Sequence, residues 1–419
     1  MNASGSPRVG HRHAGDSRHE VEEQIAQAWA SLLDQADVIA DSITLTLLEK
    51  DRGFYESASP ELRADVRAST REHVRRGIRT MAWVARPDEK AVHVWRETGR
   101  RRARQGVPME LVLNAYSLGT RVLWEALLQR RGNNAVAIDD HVLLLAGQRI
   151  WQALDVQNRT LIESYRQENS RLQRRDLQRQ QSILDGLAEA RGADPEFAVE
   201  ARDVLGIDVD EPLACVVAPF DDLSGEPLLA PEDKLERAGV VSHWHVRAGS
   251  YFGLVALGDH GIRGLLELLR PAVAGRAGVA PATDGLAGFA TAYQLAARAA
   301  DTVPKGTRQL VTVTERLPEV LMTANPEVTS LLVERTVGPL LAQPPQHGEV
   351  LLRTLAALLG NDGSPTHAAE ELFCHRNTVI YRLKQIEALT GRSLQEPRDK
   401  LLLSLGMIAT GHWSTVRPE

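Results

Sequence analysis

Seven side chains near the C-terminal end of this 419-residue chain have the types and spacing to touch nucleic acid. In CHRNTVIYRLKQIEALTG, from Cys374 to Gly391, Val379, Leu383, Ile386 and Leu389 recur at i, i+4, i+7 and i+10, a stripe by which a helix packs. Opposite it stand Arg376, Asn377, Thr378, Tyr381, Arg382, Lys384 and Gln385. Arginine contacts guanine edges or phosphates, asparagine contacts adenine, and hydroxyls contact phosphates. From His375 to Arg392 there are four basic residues (Arg376, Arg382, Lys384, Arg392) against one acid, Glu387, so the patch carries +3 within a chain of −6. The alternative is a solvated helix face on which Asn377 only caps.

Such residues need a scaffold. The segment SPTHAAEELFCHRNTVIYRLKQIEALTG reads as two helices with a tight connection, Cys374-His375-Arg376. Ser364 is a good N-cap and Pro365 a good first-turn residue. Ala368, Ala369 and Leu372 form the inner face of the first helix, expected over Pro365–Phe373. Helices joined so closely need a small residue where they cross, and Ala369 can meet Val379 there. Gly391 is a C-cap.

HRNTVIYRLKQIEALTG resembles the C-terminal helix-turn-helix of the PucR/CdaR family of bacterial transcriptional regulators. The flanking LLRTLAALLGNDGSPTHAAEELF and SLQEPRDKLLLSLGMI agree with it, so the resemblance covers about 60 residues. It implies double-stranded DNA as the partner. His375, Arg376, Asn377, Thr378, Tyr381 and Arg382 match the family motif at the start of the recognition helix. Lys384 joins them on residue type.

Around this motif the chain falls into regions. Residues 1–19 are rich in Gly, Ser, Arg and His and read as a disordered tail, whose His11, His13 and His19 lack acidic or cysteine company for a metal. Residues 20–154 read as an all-α bundle, with Val21, Ile25, Ala28, Trp29 and Leu32 at helical spacing and breaks at Asp51-Arg52-Gly53, Pro87-Asp88 and Gly132-Asn133-Asn134. A long helix is expected from about Ile138 to Leu187, its portion 155–186 serving as a linker. There Leu154, Leu161, Tyr165 and Leu172 lie near heptad spacing while Glu168 and Arg175 interrupt it. That allows a solvated connecting helix or a short parallel coiled coil. Residues 187–316 alternate strands (PLACVVAPF, GVVSHWHV, SYFGLVALG, GRAGVAPATD, QLVTVTE) with helices, an α/β domain. Residues 326–419 are helical again.

GVPMELVLNAYSLGTRVLWEALL resembles the helical N-terminal domain of the RsbR-type co-antagonists of bacterial stress signalling. It implies a globin-like sensory or dimerisation module receiving an unknown small-molecule or protein effector. His73, His93 and His141 read as surface or core histidines, and no cofactor is expected. Arg96 and the run Arg100-Arg101-Arg102 with Arg104 read as a solvated helix end, or as an anion or partner site. Tyr116 and Trp124 share a helix face, with Trp83 and Trp95 as neighbours; core packing is expected, a ligand pocket between helices the alternative. The middle region looks like the GGDEF-like domain of the CdaR branch. Its hairpin Arg247-Ala248-Gly249-Ser250-Tyr251 offers one glycine and no carboxylate, which argues against a metal-dependent cyclase.

Cys215 and Cys374 have no CxxC partner, so neither a disulfide framework nor a zinc site is expected, and the cytoplasm is the natural compartment. No run is long and apolar enough for a membrane span, and the first residues lack the core of a signal peptide. HExxH, P-loop and nucleophile-elbow motifs do not occur. The whole reads as a multidomain, dimeric or higher-order DNA-binding regulator, not an enzyme. The alternative is a signalling scaffold that binds partner proteins through the RsbR-like region.

Overall fold

The computed structural model describes residues 13–86, 91–132, 139–208, 211–221 and 225–413. It divides into two compact units, Met1–Asp176 and Leu177–Glu419. The expected breaks at Pro87-Asp88 and Asn133-Asn134, and residues 1–12 of the expected tail, lie outside the described residues; from His13 the chain is helical.

The first unit is all helix: α1 (His13–Ala30), α2 (Ala36–Lys50), α3 (Arg52–Ser57), α4 (Pro60–Met81), α5 (Ala91–Arg104), α6 (Met109–Gly132) and most of α7 (Asp140–Ala188). The Ser59 hydroxyl accepts the Leu62 N–H at 3.2 Å and Pro60 opens α4, as an N-cap followed by proline should. Ile25, Trp29, Leu32, Ile43, Leu47, Ile78 and Leu127 form the core. The apolar stripe of α1 is therefore spent on this bundle.

Three of the heptad-spaced residues of α7, Leu154, Leu161 and Tyr165, are engaged within the unit. Leu154 and Leu161 are buried, and Leu161 packs with Val107 and Val112. The Tyr165 hydroxyl donates to the Val107 carbonyl at 2.9 Å. Glu168 interrupts the heptad because it is buried against Arg104, 2.8 Å away. The arginine run is likewise consumed. Arg101 and Arg102 converge on Asp65 at 3.2 and 2.6 Å, and Arg102 is buried. Trp124 packs against Gly147 of α7, and Trp83 is half exposed under the Arg149 guanidinium.

The second unit opens with an α/β domain holding β1 (Leu213–Pro219), β2 (Ser242–Arg247), β3 (Ser250–Ala256), β4 (Arg276–Ala282) and β5 (Gln309–Thr312). The sheet order is β2-β3-β1-β4-β5, antiparallel except for the parallel β4–β5 pair. Strand β1 is apolar throughout because both its faces are covered. Leu213, Cys215 and Val217 pack with the end of α7, α8 (Pro195–Leu205) and α11 (Phe289–Asp301). Ala214, Val216 and Ala218 pack with α9 (Pro231–Arg237) and α10 (Gly261–Leu269). In the β2–β3 turn, Ala248 and Gly249 have φ of 48° and 74°, the two left-handed residues of a tight hairpin. Arg247 at its edge is held by Asp185 and Glu189, each at 2.8 Å.

The C-terminal helices are α12 (Leu317–Thr323), α13 (Pro326–Arg335), α14 (Gly338–Leu341), α15 (Pro345–Gly360), α16 (Pro365–Glu371), α17 (Arg376–Thr390) and α18 (Pro397–Ala409). Their core gathers Leu351, Leu355, Leu358, Ala368, Ala369, Val379, Ile386, Leu403 and Met407. No helix among the described residues is long and apolar enough to cross a membrane.

Candidate nucleic-acid interface

The Ser364 hydroxyl caps α16 by accepting the His367 N–H, and Pro365 follows it. The first helix ends earlier than its apolar residues suggest. Phe373 turns left-handed, with φ of 51°, so it belongs to the connection. The Phe373 N–H donates to the Glu370 carbonyl at 3.3 Å and the Cys374 N–H to the Ala369 carbonyl at 3.0 Å, which satisfies two carbonyls of the last turn of α16. His375 is then the N-cap of α17: its Nδ1 accepts the Asn377 N–H at 3.2 Å. Asn377 is therefore not the cap, and its exposed carboxamide makes no hydrogen bond among the described residues. Gly391 ends the helix at φ 66°, its N–H donating to the Glu387 carbonyl.

Ala369 and Val379 are both buried in one cluster with Ile386, and Leu383 and Leu389 flank it. With α17 seated on that stripe, about 100° of rotation per residue sorts its other side chains. Asn377, Tyr381, Lys384 and Ala388 form one exposed strip opposite the core. Tyr381 is 64% exposed, and its hydroxyl accepts from the Gln385 carboxamide at 3.3 Å. Arg376 and His375 are exposed at the N-terminal end. Thr378 and Gln385 sit half-buried on the flank.

Arg382 is also half-buried, and its guanidinium reaches back to the Thr354 hydroxyl of α15 at 3.5 Å, a long contact. Arg392 leaves the basic patch altogether: it pairs with Asp399 at 2.8 Å and donates to the Arg335 carbonyl. Arg376 and Lys384 are exposed without an ion pair among the described residues. The field of the helix thus rests on fewer cations than its sequence suggests, placed at its N-terminal end and mid-face.

The residue that sequence reasoning missed is Phe373. It is 96% exposed, in the connection two residues before the N-cap of α17. A left-handed phenylalanine has no sequence signal, since glycine or asparagine is the usual occupant of that conformation.

Three family models match in chain order. The RsbT co-antagonist protein rsbRD N-terminal domain matches residues 37–180, the GGDEF-like domain 189–302 and the PucR C-terminal helix-turn-helix domain 351–409. Among curated proteins, the purine catabolism regulatory protein of Bacillus subtilis is 40% identical over 16% of this chain and 13% of its own. The carbohydrate diacid regulator of Escherichia coli is 43% identical over 14% of this chain and 15% of its own. The transcriptional activator PmfR of Paenarthrobacter nicotinovorans is 35% identical over 22% of this chain and 20% of its own. The matched segment therefore spans less than a quarter of these relatives' length. In chain order it thus carries an RsbR-type helical domain, a GGDEF-like domain and a PucR-type helix-turn-helix domain, and it is similar to regulators of the PucR/CdaR type.

Proposed function

We propose that this protein is a cytoplasmic transcriptional regulator that reads double-stranded DNA with the exposed strip of α17. What carries the reading is the placement of Asn377, Tyr381 and Lys384 on one outward line with Arg376 at its N-terminal end, over a packed and capped helix. Recognition helices present their N-terminal residues to base edges, and an asparagine there suits adenine. His375, Thr378 and Arg382 support this face by capping the helix and by lying along its flanks. Phe373 adds an apolar contact beside it, of the kind that meets a thymine methyl group.

The protein acts as a homodimer, or a higher homo-oligomer, so that two such helices meet two half-sites. The first unit receives the signal, and α7 carries it toward the reader. The hairpin between β2 and β3 serves packing, since its Arg247 is tied to Asp185 and Glu189 and no carboxylate stands on the turn.

The test is fluorescence anisotropy of the full-length protein on DNA from upstream of its own reading frame, over a salt series. Affinity is expected to fall as salt rises, and Asn377→Ala should cost about 1–3 kcal/mol on the best site while leaving non-specific binding in place. Arg382→Ala is the poorer probe, because it also loosens the contact with α15. Sequence-independent binding in the unaltered protein would overturn the reading and leave the scaffold alternative.

A further inference from the structure

Within the first unit, side chains of α1 to α7 line a cavity of about 170 Å³. Most of its wall is apolar, including Trp29, Leu47, Trp95 and Leu123. One end is polar. There Thr98 Oγ1 and Tyr116 OH each lie 3.1 Å from His73 Nε2. The backbone carbonyl of Ser69 also hydrogen-bonds the His73 ring. A carbonyl only accepts, and Nε2 already faces the two hydroxyls, so we assign the proton to Nδ1 and leave Nε2 an acceptor. Burial holds this imidazole neutral, pushing its pKa down to about 4.

The hydroxyls of Thr98 and Tyr116 have two protons to place, one on Nε2 and one on each other's oxygen. What the triangle has left is acceptor capacity, which a donor on a guest would use. Charge is accounted for separately. Arg102 reaches the cavity wall, but its guanidinium already binds Asp65 at 2.6 Å, Gln105 at 2.6 Å and the Ser69 hydroxyl. Arg76 also lines the cavity, and it is paired with Glu72 at 2.6 Å. A carboxylate guest would have to break one of these sets, and a cationic guest would find no carboxylate among the described residues of the wall.

Two glycines show that the space is kept. Gly77 in α4 and Gly119 in α6 both line the cavity from helix interiors, where glycine is disfavoured relative to alanine. Neither is needed for close helix approach. A Cβ at Gly77 would meet nothing within 4 Å, and one at Gly119 only the Ile43 Cδ1 at 3.9 Å. An apolar cavity of ~150 Å³ accommodates benzene, so the size here is that of a single ring.

We propose that this cavity binds a small neutral molecule of about one ring's bulk carrying one hydroxyl, a phenol-class ligand whose O–H joins the His73–Thr98–Tyr116 triangle. This deepens the reading of the first unit as the receiving end of the regulator, and its test does not depend on DNA. Purified full-length protein is titrated calorimetrically with phenol, benzoate, benzylammonium and toluene. Phenol is expected to bind tightest. Tyr116→Phe and Thr98→Val should each weaken phenol about 3- to 10-fold, the worth of one neutral hydrogen bond, and leave toluene unchanged. Gly119→Leu should abolish both by filling the space, with Gly119→Ala as a folded control that reduces them.

Benzoate or benzylammonium binding more tightly than phenol would overturn the neutral class. Phenol binding untouched by Tyr116→Phe, Thr98→Val and Gly119→Leu would overturn the site, as would no binding at all. Phenol binding that leaves DNA affinity unchanged supports the site and overturns only its role as the receiver.

Discussion

Two residues combine costs that the free protein does not recover. Phe373 exposes nearly its whole ring and holds a left-handed backbone at φ 51°. For a non-glycine residue that conformation costs about 1–2 kcal/mol. Replacement with glycine should therefore raise the stability of the C-terminal helices by roughly that amount, while weakening DNA binding by the loss of the ring contact. Thermal unfolding alongside anisotropy checks both signs; unchanged DNA affinity would reduce Phe373 to a tolerated turn residue. His73 makes a second, pH-dependent case. In the unfolded chain its imidazole titrates near 6.5, whereas burial lowers it to about 4 in the fold. The unfolded chain thus binds an extra proton between these values, so the contribution of His73 to stability falls as pH drops from about 6.5 toward about 4 and is constant on either side. The whole loss is on the order of 3 kcal/mol. Denaturant titrations of the unaltered protein and of His73→Gln over that range should differ in slope; parallel profiles would show that the ring is solvated.

At the scale of elements, the reader depends on how closely α16 approaches α17. Ala369 and Val379 are buried together there, with no room for a longer side chain in a filled core. Ala369→Leu should cost about 1–3 kcal/mol by overpacking and reduce DNA affinity by shifting α17. Amide hydrogen exchange should quicken over α16 and α17 and stay unchanged over α2 and α4. If exchange is unaltered everywhere, the crossing is looser than the burial of Ala369 indicates. This element was legible in the sequence because each of its signals is local: Ser364 and Pro365 for the start, Gly391 for the stop, a four-residue stripe for the core. The five strands were legible for the same reason, each a short stretch bounded by turn residues. Short helices such as α9, α12 and α14 were not, since one or two turns give periodicity too little length to show. The cavity was legible only as the alternative to core packing: Trp95 and Tyr116 line it, while Trp83 and Trp124 are not part of its wall, and the rest of that wall comes from helices distant in sequence. The arginine run of α5 misled for a related reason: Asp65 and Glu168, which neutralise it, lie far away in sequence.

Charge is the property that belongs to the whole molecule. The chain carries −6, and much of its arginine is spent on internal pairs such as Arg71–Asp41, Arg75–Asp37, Arg102–Asp65 and Arg276–Asp221. An acidic body of this kind repels DNA at long range, so attraction must come from the few cations on the reading helix. Lys384 is exposed at mid-face without an ion pair among the described residues, which suits a phosphate contact. Each phosphate contact contributes about 0.9 to the slope of log affinity against log salt concentration. Lys384→Ala should weaken binding to every sequence alike, leaving the preference between sites unchanged. The size of the slope change also counts copies. A single bound chain loses one contact and about 1 in slope, while a symmetric pair on two half-sites loses two and about 2. Measuring that slope for the unaltered protein and for Lys384→Ala on the same DNA thus decides whether two readers engage together. A change near 1 would sink the dimeric arrangement while keeping Lys384 as a phosphate contact, and no change would remove Lys384 from the interface.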